Sequence, residues 1–118
     1  MDTRHENRQK IVQELYALSF SNTKDQITSE KTKQILEKKG KINELIHEFA
    51  PKFPIEKIAK IDLAILQLSI FDLQVEKHEP PKVIINEAVE LAKELGSDRS
   101  YAFINAVLGK IYEKINQK

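Results

Sequence analysis

The chain has 118 residues, 41% apolar and 31% charged, and no cysteine, which fits one folded, soluble domain and excludes disulfides, thiolate zinc sites and a cysteine nucleophile. No run approaches the roughly 18 apolar residues of a membrane-spanning helix, and the N-terminus "MDTRHENRQK" is too charged for a signal-peptide core, so the expected location is cytoplasmic. The net charge of +1 divides into +3 over residues 1–60, with 12 Lys and Arg against 9 Asp and Glu, and −2 over residues 61–118, with 7 against 9, so a polyanion would meet the first half, through a local patch rather than the overall field.

Apolar residues recur at helical spacing and no segment alternates convincingly with period two, which predicts an all-α fold. A first helix is expected from about Thr3 to Ser19, with Ile11, Val12, Leu15 and Leu18 facing inward and Phe20 a further candidate. Its first two turns carry no apolar residue beyond Met1, so Arg4, His5, Arg8 and Lys10 should project into solvent. Ser21 to Asp25 reads as a polar loop. A second helix, capped by Thr28 or Ser29, continues through Gly40 to about Ala50, because Ile35, Ile42, Ile46 and Phe49 keep one stripe in phase; a break at Gly40 is the alternative. Pro51 and Pro54 end it, and a short turn with Ile55 and Ile58 follows.

The segment "IDLAILQLSIFDLQVE", Ile61 to Glu76, is apolar on almost every side, the pattern of a helix surrounded by others and hence of a central rod. Pro80 and Pro81 stop it. The next helix is expected from about Val83 to Leu95, with Gly96 as a left-handed residue at its C-terminus. Ser97 or Asp98 should cap the last helix, whose stripe is Phe103, Ile104, Val107, Leu108, Ile111 and Ile115. There is no internal repeat, low-complexity tract or linker.

The pattern offers little for catalysis. His5, His47 and His78 stand too far apart for an HExxH-type zinc site, and the three glycines are isolated, so no phosphate loop exists. Asp62 and Asp72 lie on one helix roughly 15 Å apart by helical rise, too far for a carboxylate pair. No active site, metal or cofactor is expected. Asn86 and Glu87, read as first-turn residues, suit the helix dipole and local backbone bonding, and Asn105 reads as a helix-to-helix hydrogen bond.

The stretch "PPKVIINEAVELAKELGSDRSYAFINAVLGKI" resembles the C-terminal signature of the NusB family; "IDLAILQLSIFDL" is similar to that family's central helix, "INELIHEFAPKFPIEKI" to the segment before it and "NRQKIVQELYAL" to its first helix. The resemblance implies an all-α, NusB-like fold of two small helical bundles packed at an angle, with about five to seven helices in a single RNA-binding domain. It also implies a non-enzymatic role: transcription antitermination by binding boxA-type, single-stranded RNA of nascent ribosomal RNA transcripts together with the ribosomal protein NusE, and so the RNA polymerase antitermination complex indirectly. The expected state is a monomer or weak homodimer. The same fold occurs as the N-terminal module of a 16S ribosomal RNA cytosine methyltransferase, for whose catalytic domain 118 residues leave no room. A stand-alone module of that kind in ribosome assembly, or a structural helical homodimer, is the alternative.

This chain also departs from the family pattern. Only Arg4 and Arg8 match the family's arginine-rich start, with His5, expected to be largely neutral, and Lys10 as partial substitutes. Leu63 and Gln67 replace two arginines, Ala106 a glycine and Gly109 an aspartate, and the region from Asn22 to Thr28 is short. Positive charge at a helix N-terminus opposes the dipole, so Arg4, His5, Arg8 and Lys10 have no local reason to be there and are assigned to RNA. Lys82, Tyr101 and Phe103, at the edges of the C-terminal signature, join them, with Phe103 divided between core packing and base stacking. By the resemblance, Asp72, Glu76, Asp98 and Arg99 lie near the NusE-binding face.

Overall fold

The computed structural model describes residues 3–20 and 27–116, so the loop expected from Ser21 to Asp25, and most of the shortened region ending at Thr28, lie outside the described residues. Six α-helices appear there and no strand: α1 (Thr3–Leu18), α2 (Glu30–Glu37), α3 (Lys39–Phe49), α4 (Lys60–Phe71), α5 (Pro81–Leu95) and α6 (Ser100–Asn116). A 3-10 turn, Ile55–Lys57, precedes α4, and a π-helical turn, Asp72–Glu76, extends it. The helix that is apolar all round is indeed the rod: Ala64, Ile65, Leu66, Leu68, Ile70 and Phe71 are buried, and α1, α2, α3, α5 and α6 all pack against it. Ile11, Val12 and Leu15 of α1, Ile84, Ala88 and Leu91 of α5 and Ile104, Val107, Leu108 and Ile111 of α6 belong to the same core, whereas Phe20 is 62% exposed and lies edge-on to Tyr16.

The second predicted helix is two. Lys38 leaves helical geometry at φ −99°, ψ 4°, and Gly40, two residues later, sits in the first turn of α3. Ile35, Ile42 and Ile46 are nonetheless all buried. A one-residue break keeps the stripe facing α4, so periodicity cannot detect it.

The cap of α2 also differs from expectation. Ser29 holds the N-cap position with no capping bond from its side chain. Glu14 of α1 accepts instead from the Thr28 backbone N–H and hydroxyl at 3.0 Å each, and from the Thr32 hydroxyl at 2.6 Å. Burial alone would raise the Glu14 carboxyl, but these donors outweigh it and hold it down at about 2, from an ordinary 4.5. A depressed carboxyl stabilises above its unfolded value and loses that contribution as pH falls through the folded one. Glu14→Gln is therefore expected to cost about 1–3 kcal/mol near neutral pH, with the gap from the parent chain closing between pH 4.5 and about 2 in thermal melts.

Pro81 opens α5 at its first position, where a missing N–H costs nothing. At its other end Gly96 is not left-handed but has φ −97°. Its role is close approach: a Cβ there would run into Ser100 Oγ, and would lie 2.6 Å from Ser100 Cβ and 2.8 Å from the Ala92 carbonyl oxygen. The left-handed residue is Lys77, at φ 55°, whose N–H bonds back to the Asp72 carbonyl at 2.8 Å and closes the π turn. The α5–α6 corner is tied by Ser100, whose hydroxyl accepts from the Ser97 N–H at 2.9 Å, and by Ser97, whose hydroxyl accepts from the Arg99 N–H at 3.4 Å.

Candidate nucleic-acid interface

The first two turns of α1 do not simply project into water. Arg8 is buried, its guanidinium paired with Glu79 from the α4–α5 connection and, at 3.6 Å, with Glu87 of α5. His5 lies between two carboxylates of α5, with Nδ1 3.2 Å from Glu87 and Nε2 2.6 Å from Glu94. Acceptors facing both ring nitrogens suit the imidazolium, in which both carry hydrogen. The Glu87 hydrogen bond, assisted by Glu94, raises His5 above its ordinary 6.5. A raised histidine stabilises fully below its unfolded value and loses that contribution as pH rises through the folded one. The parent chain should thus lose stability as pH climbs above 6.5, and His5→Gln should remove that part of the profile.

Arg8, and to a large extent His5, therefore dock α1 onto α5, although the apolar spacing assigned them to solvent and the resemblance, with the dipole argument, to RNA. Glu87, read as a dipole-complementing residue, is the seventh residue of α5 and the acceptor for both. Arg4 reaches Glu79 at 3.4 Å yet keeps 73% of its side chain exposed, and Lys10 is exposed.

A cleft of about 560 Å³ opens between α1, the start of α2 and the end of the π turn, lined by Arg4, Arg8, Lys10, Lys31, Glu76 and His78 among others. It brings three of the sequence-assigned RNA cations beside one of the partner-assigned carboxylates. Lys31, which sequence reasoning passed over, bridges Asp72 and, at 3.3 Å, Glu76. Asp72 is only 7% exposed; burial raises its carboxyl and Lys31 opposes the rise. The expected solvated docking carboxylate is thus an internal anchor for α2, and of that pair Glu76 is the more accessible.

The other assigned residues lie away from this cleft. Lys82 is exposed in the first turn of α5, and Asp98 and Arg99 are exposed at the α5–α6 corner. Tyr101 is 45% exposed, with the Lys93 ammonium 5.6 Å from its ring centre. Phe103 is half-buried and edge-on to Phe53, their centres 5.1 Å apart, and Phe53 is the more exposed of the two. Asn86 and Asn105 both face solvent, so Asn105 is not the expected interhelical tie. Asp62 is buried, raised by burial and partly lowered by Ser100. Among the described residues no group of three or more His, Asp or Glu is placed to hold a metal ion, and no helix is long and apolar enough to cross a membrane.

The NusB family model matches residues 1–113. The chain is 32% identical to the transcription antitermination protein NusB of Bacillus pumilus, over 94% of this chain and 95% of that one, and 38% identical to that of Campylobacter curvus, over 92% and 95%. With the protein of the same name from Agathobacter rectalis it shares 44% identity, over 72% of this chain and 65% of that one, a little under two thirds of the relative's length. The fold superimposes on T. maritima NusB with a TM-score of 0.81 at 25% identity, covering 96% of this chain and 92% of that one. It also matches a chain in a crystal structure of a plectonemic RNA supercoil, with a TM-score of 0.84 over the full length of both; at 17% identity, that likeness bears on the fold alone.

Proposed function

This chain belongs to the NusB family, and from that premise we propose that it is a non-enzymatic, RNA-binding transcription antitermination factor, a single domain that engages boxA-type RNA of nascent ribosomal transcripts together with the ribosomal protein NusE. The relatives from Bacillus pumilus, Campylobacter curvus and Agathobacter rectalis are each named transcription antitermination protein NusB. The observation that carries the reading is the cleft in which Arg4 and Lys10, exposed cations on α1, stand beside Glu76 at the end of the π turn. RNA phosphate and a protein partner could be held side by side there.

The electrostatics make intrinsic RNA affinity weak. Arg8, His5 and Lys31 already face internal carboxylates, so few cations near the cleft can replace phosphate counterions. Specificity then falls to unstacked bases on exposed aromatic faces such as Tyr101, and to a second protein that extends the surface. Lys82 and Phe103 complete the proposed RNA set, and Asp98 and Arg99 join Glu76 in the proposed partner surface. Arg8, His5 and Asp72 act behind these surfaces, by holding α1 and α2 in place.

A titration at two salt concentrations, with a boxA-like RNA and a scrambled control, with and without the ribosomal protein, tests this reading. Arg4→Glu with Lys10→Glu should weaken RNA binding and flatten its salt dependence while sparing the partner. Asp98→Lys with Arg99→Glu should do the reverse. Because binding coupling is reciprocal, RNA and partner must tighten one another by the same factor. Equal affinity for boxA and scrambled RNA, unchanged by the partner, would sink the adaptor model.

A further inference from the structure

The cations of α1 are largely matched by carboxylates, but those at the α2–α3 junction are not. Residues 31–43 carry five lysines against one glutamate. Of these, Lys38, Lys39 and Lys41 are exposed within four positions, and none forms an ion pair among the described residues, where pairs are made by Arg4, Arg8, Lys31 and Lys114. The corner is open on its outer side: a Cβ on Gly40 would meet nothing within 4 Å. It forms a ridge between two clefts. Lys38 and Lys41 line one of about 370 Å³ together with Glu44 and Glu48 of α3 and Gln74 and Val75 of the π turn, and Lys39 lines another of about 280 Å³, which Lys60 also lines.

Local folding does not favour charge of this sign at two of the three positions. Lys39 and Lys41 occupy the first turn of α3, where the helix dipole disfavours cations, whereas Lys38, at the C-cap of α2, suits that helix's dipole but is repelled by Lys39. The carboxylates nearest in sequence are Glu37 at the end of α2 and Glu44 one turn further into α3, and neither pairs with the lysines among the described residues. Three adjacent, unneutralised ammonium groups on an open ridge match the spaced charges of a polyanion backbone.

We propose that the Lys38–Lys39–Lys41 ridge at the α2–α3 junction, with Lys60 across the adjoining cleft, is a second grip on the RNA backbone, holding phosphates outside the α1 cleft. This deepens the RNA-binding reading and rests on it. The α1 cleft and the aromatics would discriminate sequence, while the lysine ridge supplies most of the salt-dependent affinity.

The test replaces Lys38, Lys39 and Lys41 together by Gln and follows binding of a boxA-like single-stranded RNA across a salt series. Each lost phosphate contact on a single strand flattens the slope of log K against log salt by about 0.7, so the triple variant should lose about 2 from the slope and about tenfold or more in affinity at low salt. Its melting temperature should change little, because cations leave the N-terminus of α3 at Lys39 and Lys41 while one leaves the C-terminus of α2 at Lys38. Replacement of the same lysines by Arg should restore affinity and slope, which a merely structural effect would not do. If the triple Gln variant keeps the parent slope while Arg4→Glu with Lys10→Glu loses it, RNA binding stands and the ridge has no part in it. If the parent chain binds no RNA, both readings fall. If the variant keeps its RNA affinity but loses the ribosomal protein, the ridge is a protein surface and the proposal is overturned.

Discussion

Replacing Lys31 by Met is expected to destabilise the protein by about 3–5 kcal/mol at neutral pH, the usual cost of stranding one member of a buried ion pair. Lys31 is the ammonium against Asp72, whose carboxylate is otherwise enclosed at the end of the central rod, and it also reaches Glu76 at 3.3 Å. Burial raises Asp72, so its ionised form costs stability above the folded pKa, and the cost is relieved as pH falls through that value toward the unfolded 3.8. Removing Lys31 takes away the opposing influence and enlarges both cost and relief. Urea denaturation at neutral and mildly acidic pH should show the deficit of Lys31→Met shrinking with acid. Asp72→Asn in the same chain should recover most of it, a non-additivity expected of residues in contact. A loss below about 1 kcal/mol that ignores pH would place the pair at the solvated surface instead.

Gly96→Ala should be the most damaging methyl group that can be added at a glycine of this chain. The new Cβ would collide with Ser100 Oγ and Cβ and with the Ala92 carbonyl oxygen. None of these can yield cheaply. Ala92 O belongs to the helix backbone, and Ser100 is buried, bonded to the Ser97 N–H and engaged with Asp62. Overpacking of this kind costs about 1–3 kcal/mol. The natural control is Gly109→Ala in the interior of α6, where a Cβ meets nothing within 4 Å and should stabilise by about 1 kcal/mol. Opposite shifts in the thermal midpoints of the two variants are the expected result. Equal shifts would mean that the α5–α6 corner relaxes freely.

Periodicity and composition were enough for the helical class, the central position of α4 and the buried stripes of α1, α3 and α6. Each depends on side chains three or four residues apart, and Ile61 to Phe71 has too few polar residues to offer any face to water. The C-terminal signature likewise disclosed the family, because its residues are contiguous. Tertiary structure alone decided which charges are available to a ligand. Arg8 and Glu79 are 71 residues apart, His5 and Glu87 are 82 apart, and Lys31 meets Asp72 across 41 positions, so nothing local marks these cations as neutralised. The same separation hid the cap that Glu14 provides for α2 and the ion pair that makes Arg8 structural. The α5–α6 corner follows the same rule: its glycine was legible, but only the proximity of Ser100 and Ala92 reveals that bulk rather than backbone handedness demands it. Spacing along a chain specifies which face a residue occupies, whereas an electrostatic or steric partner is specified by how the helices pack.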